Sequence, residues 1–194
     1  MTRRRLLLLA PVSLAIAGLA AGGIIWVERP RAANLRIGGP FALQDGNGRT
    51  LTEAAFRGKV MLVYFGYTHC PDACPTALQD MADAVGKLPV TERANVAVVF
   101  ITDDPARDTP AVMKDYVSAF DVPITVLSGS AAATAQVADE YRVYYAKHPE
   151  KGGGYSMDHS SFIYIMNRTG HFVGTFSPED TPVTMASKLQ RVLA

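Results

Sequence analysis

Hydrophobic and polar positions along this chain fall into short blocks whose period switches between continuous, alternating and helical. Leu6 to Val27, "LLLLAPVSLAIAGLAAGGIIWV", is apolar throughout and carries no charge. After it, "ERPRAANLRIGGP" breaks the pattern with turn formers, and blocks of domain length begin. A strand is expected near Phe41 to Gln44, a turn at "DGNG", and a helical turn from Glu53 to Arg57. "KVMLVYFGY" is a continuous apolar, β-branched and aromatic run, short enough for a central strand buried on both faces. Leu78, Met81, Ala82, Val85 and Leu88 then recur at helical spacing. The alternation continues with a strand "VAVVFIT", a helix from Pro110 to Phe120, a strand "ITVLS" and a helix from Ala131 to Val143. After a loop, "SFIYIM", "NRTG" and "HFVGTF" predict a hairpin. Thr181 as N-cap with Pro182 at the first helical position starts a last helix, whose Val183, Ala186, Leu189 and Leu193 are expected to face the core.

Strands alternating with helices and closed by a hairpin and a helix predict an α/β domain with a mixed central sheet, in the order of a thioredoxin-like fold. The expected organisation is a basic n-region at residues 1–5, a transmembrane anchor or signal segment at 6–27, a linker at 28–40 and the α/β domain at 41–194. As a helix the apolar run would reach about 33 Å, enough for a hydrocarbon core of about 30 Å. Arg3, Arg4 and Arg5 in front of it fit a cytoplasmic N-terminus, and Trp26 suits the membrane interface. Arg29, Arg31 and Arg36 on the other side weaken the charge asymmetry. A cleaved secretory or twin-arginine signal gives the same topology. In each case the domain lies outside the cytoplasm, on the periplasmic face of the inner membrane in a bacterium, where thiols meet an oxidising environment.

Charge excludes one class of function. With 19 Lys and Arg against 18 Asp and Glu the formal net charge is +1, so no basic footprint for nucleic acid exists. The chemistry concentrates instead in "YFGYTHCPDACPTAL", which holds both cysteines, Cys70 and Cys74. Extended, their Cα atoms would stand about 13 Å apart; in a helical turn they approach to about 6 Å. That distance suits a crosslink, a redox couple or one side of a metal site. Pro71 and Pro75 are expected in the first turn of the following helix. The free N–H groups there favour thiolate, whereas Asp72 between the sulfurs opposes it unless a cation binds. A structural crosslink closing so small a loop would stabilise little.

Four histidines exist. His148 and His171 are expected as ordinary hydrogen-bonded residues at strand edges, and His69 as a neighbour of the site or a surface residue. His159 stands out because it leads into the strand that this fold would set beside the cysteine-bearing strand, with Gly152 to Gly154 giving its loop freedom to move. Taken alone, it fits a hydrogen-bonded strand-edge residue as well as a metal ligand.

Three blocks, "VYFGYTHCPDACP", "FITDDPARDTP" and "YSMDHSSFIYIMNRTGHFVG", resemble in order and interval the signature blocks of the Sco/SenC family. These are membrane-anchored copper proteins serving cytochrome c oxidase assembly. The resemblance runs from about Phe41 to the C-terminus and implies copper ligation by Cys70, Cys74 and His159. It also implies a copper chaperone that delivers the metal to the CuA site of cytochrome c oxidase subunit 2, loaded or reduced by upstream copper or thiol donors. Two thiolates and an imidazole form a soft, low-coordinate set that favours Cu(I). Cu(II) is accessible with water or a carboxylate added. The family aspartate near the copper maps onto Asp104, while Asp103 replaces the usual apolar neighbour; Asp103, Arg107 and Asp108 are expected in a solvated loop. An alternative function is a thiol:disulfide oxidoreductase keeping the oxidase subunit's cysteines reduced. Against it stand three residues between the cysteines where thioredoxin-type catalysts have two, and "HSS" where those enzymes carry a cis-proline.

Overall fold

Val60, Leu62 and Tyr64 alternate with Met61, Val63 and Phe65 along one strand, and all six are buried because the two sets face different hydrophobic cores. This is β3 (Val60–Gly66), the centre of the computed structural model, which describes residues 36–194. Before it come β1 (Ala42–Asp45), β2 (Thr50–Thr52) and a 3-10 turn (Glu53–Phe56). After it follow α1 (Ala73–Gly86), a short α2 (Val90–Arg93), β4 (Val96–Thr102), α3 (Pro110–Val117), β5 (Ile124–Ser128) and α4 (Ala131–Glu140). The chain closes with β6 (Tyr145–Pro149), β7 (Tyr155–His159), β8 (Ile163–Met166), β9 (Phe172–Phe176) and α5 (Pro182–Leu193).

Seven strands form one sheet in the order β2-β1-β5-β4-β3-β8-β9, with β3, β4 and β5 parallel and β8 antiparallel to β3. Parallel strands covered on both faces need apolar side chains throughout, which is why the "KVMLVYFGY" and "VAVVFIT" blocks are continuous. On one face, Leu78, Met81 and Val85 of α1 and Met185 and Leu189 of α5 pack on Leu62 and Phe100. On the other, Val137 and Ala138 of α4 and Tyr141 pack on Val63, Phe65 and Ile101. The strand–helix–strand unit β3-α1-β4 and the hairpin–helix unit β8-β9-α5 share one sheet, as a thioredoxin-like fold requires. No helix among the described residues is long and apolar enough to cross a membrane. The n-region, the anchor expected at 6–27 and most of the linker lie outside the described residues.

Several expectations are corrected. The helices expected to reach Phe120 and Val143 end at Val117 and Glu140. Arg142 then takes a left-handed backbone (φ 57°), which the helix cannot continue through. The stretch expected as a loop after it is a separate two-stranded hairpin, β6-β7, pairing Tyr145 with His159 and Pro149 with Tyr155 around Gly152–Gly154. β6 is mostly exposed, and the alternation of "YSMDH" in β7 runs for only five residues with one of them buried. β2, "TLT", alternates as well but is only three residues long. In α5, Thr181 caps the helix by accepting from the Thr184 N–H as expected, but Val183 is exposed and Met185 takes its place in the core.

Candidate metal centre

The two cysteines come from the junction of β3 and α1. α1 starts at Ala73, so Cys74 and Pro75 lie in its first turn while Pro71 sits before it. Pro75 is tolerated there because an N–H at that position has no intrahelical acceptor. The Cys70 N–H donates to the Tyr67 carbonyl (3.2 Å), and the Cys74 N–H points at the Cys70 Sγ (3.4 Å). Cys74 is fully buried and Cys70 half-buried, and neither is in a disulfide. Burial pushes the Cys74 thiol well above its ordinary range. Gly66 makes room for it: a Cβ there would meet the Cys74 Sγ at 2.6 Å and Tyr64 Cε1 at 3.2 Å. Gly66→Ala is therefore expected to displace the sulfur, destabilise the domain by about 1–3 kcal/mol and weaken metal retention. Thermal melts and chelator competition on the same sample check this; an unchanged melt with unchanged retention would refute the packing argument.

His159 ends β7 and reaches the sulfurs across a separation of 85 residues, its Nε2 3.5 Å from the Cys74 Sγ. Donor atoms of Cys70, Cys74 and His159 all lie within 4.8 Å of one another. The ring is held between the edges of Tyr64 (6.0 Å between centroids) and Tyr67 (5.8 Å). Its Nδ1 lies 3.2 Å from the Ser160 carbonyl, an oxygen that can only accept, so Nδ1 carries the proton and Nε2 presents its lone pair to the sulfurs. Burial lowers the imidazole pKa, which keeps the ring neutral and able to ligate at neutral pH. The Tyr64 hydroxyl lies 4.0 Å from the Cys74 Sγ, and burial first, then the nearby thiol, raises its pKa. Two sulfurs and one imidazole converging in a half-buried pocket fit a soft cation and fall one donor short of a closed tetrahedral zinc site.

The hairpin that carries His159 is latched to the loop after β4. Arg107 donates to the Tyr155 carbonyl (2.9 Å), its guanidinium stacks 3.8 Å from the Tyr155 ring centroid, and the Lys147 ammonium lies 3.3 Å from that centroid. Asp104 accepts from the Tyr155 hydroxyl (2.8 Å) and pairs with Arg107. Asp104 thus holds the hairpin in place. Asp103 is the carboxylate beside the histidine, its Oδ2 3.9 Å from the His159 Nδ1. The expectation of a solvated loop is corrected: Asp103 and Asp108 are buried and Arg107 is half-buried. Asp108 accepts from the Thr68 N–H (2.9 Å), the Thr68 hydroxyl (2.6 Å) and the Thr102 hydroxyl (2.8 Å), tying the cysteine loop to the end of β4. Burial, then Asp108 and Asp104, push the Asp103 carboxyl up to about 7. The doubled acid in "TDDP" was the available signal for this group. The other histidines are surface residues: His148 pairs with Asp158 (2.9 Å), His171 lies 2.8 Å from the Thr169 hydroxyl, and His69 is exposed beside Thr68.

Fold and site together define a thioredoxin-like domain whose dithiol is completed by an imidazole from the β6-β7 hairpin. The family model for SCO1/SenC matches residues 29–194, and the chain belongs to that family. It is 41% identical over 146 residues to the mitochondrial Protein SCO1 homolog 1 of Arabidopsis thaliana, covering 75% of this chain and 44% of that one. It is 36% identical over 159 residues to a SCO2-like protein of Rickettsia conorii, covering 81% and 77%. The chain spans about half the length of the plant relatives it matches. Among solved structures, Bradyrhizobium japonicum ScoI with copper bound matches with a TM-score of 0.75 at 46% identity, covering 80% of this chain and 99% of that one. Arabidopsis thaliana ScoI with copper bound gives a TM-score of 0.77 at 36% identity, covering 81% and 98%.

Proposed function

We propose that this protein is a copper chaperone that carries the metal on Cys70, Cys74 and His159 and delivers it to the CuA site of cytochrome c oxidase subunit 2. The observation that carries this reading is the convergence of the three donors within 4.8 Å, in a family whose solved members include copper-bound forms. Copper is the cargo. Capture displaces the protons of both thiols, and the cation offsets the cost that burial places on the Cys74 thiolate. His159, neutral and pre-oriented through Nδ1, closes the set from the hairpin side. Three donors leave room for an incoming thiolate of the acceptor, so the ligands can be exchanged one at a time. The half-buried Cys70 is the more accessible of the two thiolates and the first to be displaced from the metal by the incoming one. Loss of two electrons and two protons from the pair to an external disulfide would form the Cys70–Cys74 bond and end binding. The apolar run from Leu6 to Val27 supports anchoring in the inner membrane, with residues 1–5 cytoplasmic and the domain periplasmic.

A second reading, a thiol:disulfide oxidoreductase acting on the oxidase subunit's cysteines, is favoured by one observation. Cys70 is accessible and Cys74 buried behind it, the arrangement of an attacking and a resolving thiol. His159→Ala separates the two. A chaperone is expected to lose copper retention by 100-fold or more, beyond the 10–100-fold typical of outer-sphere changes. Its rate of reduction of a peptide bearing the acceptor's two cysteines should stay unchanged. Retained copper with a collapsed reduction rate would reverse the assignment.

A further inference from the structure

Asp103 is a buried carboxylate that nothing in the described residues satisfies. Its side chain is 0% exposed, and neither Oδ1 nor Oδ2 has a hydrogen-bond partner. Its backbone N–H donates to the Gly66 carbonyl (2.9 Å), so it projects from the sheet end on which the Cys74 sulfur also rests. Around it, Asp104 and Asp108 are like charges already engaged with Tyr155, Arg107, Thr68 and Thr102. The Nδ1 edge of His159, 3.9 Å away, is the group that can become more positive, because metal ligation at Nε2 withdraws electron density from the ring. An isolated buried carboxylate is costly and persists where a positive charge arrives to meet it.

We propose that Asp103 is a positioning residue of the metal centre that supports the His159 ring from its Nδ1 side and biases the bound cargo toward Cu(II). The inference rests on the reading of Cys70, Cys74 and His159 as copper donors. Formal charge sets its direction. Two thiolates with Cu(I) form a centre of net charge −1, whereas with Cu(II) the centre is neutral, so a further carboxylate behind the imidazole disfavours the reduced form. The carboxylate is a burden to the metal-free fold and an aid to the oxidised metal.

The test compares the parent with Asp103→Asn and Asp103→Val, using His159→Ala as a control on the ligands. The ratio of Cu(II) to Cu(I) affinity, measured by competition with chelators specific for each state, is expected to fall tenfold or more in both Asp103 variants. For this one-electron couple that equals a rise of about 59 mV in reduction potential per tenfold. Metal-free Asp103→Val is expected to show an unfolding equilibrium constant lower by about tenfold, since a buried carboxyl without hydrogen-bond partners has been replaced by hydrocarbon. An affinity ratio unchanged within twofold, with copper still lost on His159→Ala, would overturn the role of Asp103 and leave the chaperone reading standing. A metal-free Asp103→Val no more stable than the parent would overturn it as well, because the carboxylate would then already be satisfied. Copper retained in full by His159→Ala would instead overturn the ligand reading and this inference with it.

Discussion

Cys74→Ser is expected to abolish copper retention while the domain stays folded. The thiol is fully buried where β3 meets α1, with His159 Nε2 at 3.5 Å and the Tyr64 hydroxyl at 4.0 Å. A serine hydroxyl would fill most of the same space and find both groups as hydrogen-bond partners, so the cost in stability should stay within about 1.5 kcal/mol. Its oxygen is a hard, protonated donor in place of a soft thiolate, and a set of three donors loses its central member. Affinity should fall by more than the 10–100-fold that outer-sphere changes produce. Copper content after dialysis against a chelator, alongside a circular-dichroism melt, measures both effects. One equivalent of copper still held per folded chain would refute the assignment of Cys74 as a ligand.

Asp108→Ala carries the largest expected loss of stability, about 3 kcal/mol. Its carboxylate accepts three hydrogen bonds, from the Thr68 N–H and hydroxyl and from the Thr102 hydroxyl, in a fully buried position. Removing it strands three donors, each worth about 1–3 kcal/mol when left unsatisfied, with water at half-buried Thr68 recovering part of the loss. Against a typical total of about 5–15 kcal/mol this is a large fraction. Thr68 stands two residues before Cys70, so the cysteine loop should loosen and copper affinity fall with stability. Asp108→Asn should cost less, because its carbonyl oxygen still accepts. Urea denaturation at fixed pH gives the values; a change below about 1 kcal/mol in the alanine variant would show that the three threonine donors find other partners.

Polar residues account for most of what the chain did not disclose. Each strand buried on both faces is legible because local composition suffices: "KVMLVYFGY" cannot be placed anywhere but in the middle of a covered sheet. The hairpin from Tyr145 to His159 has exposed Lys147, His148, Pro149 and Asp158, and its strands exist through pairing with each other. Asp108 and Asp103 looked like surface acids, since a carboxylate in a loop is ordinarily solvated. Only the packing of three loops over the sheet end buries them.

The order of strands and helices, the turn that brings the two sulfurs together, and the resemblance carried by three spaced blocks belong to the linear chain, because each depends on neighbours within one element. Bringing the His159 ring to the sulfurs across 85 residues depends on β8 pairing beside β3 and on Arg107 and Asp104 latching the hairpin. The same folding set Asp103, and not Asp104, behind the ring. Hydrophobic periodicity reports which face of an element is covered, but not which loops meet at its end, and a metal centre is built where loops meet.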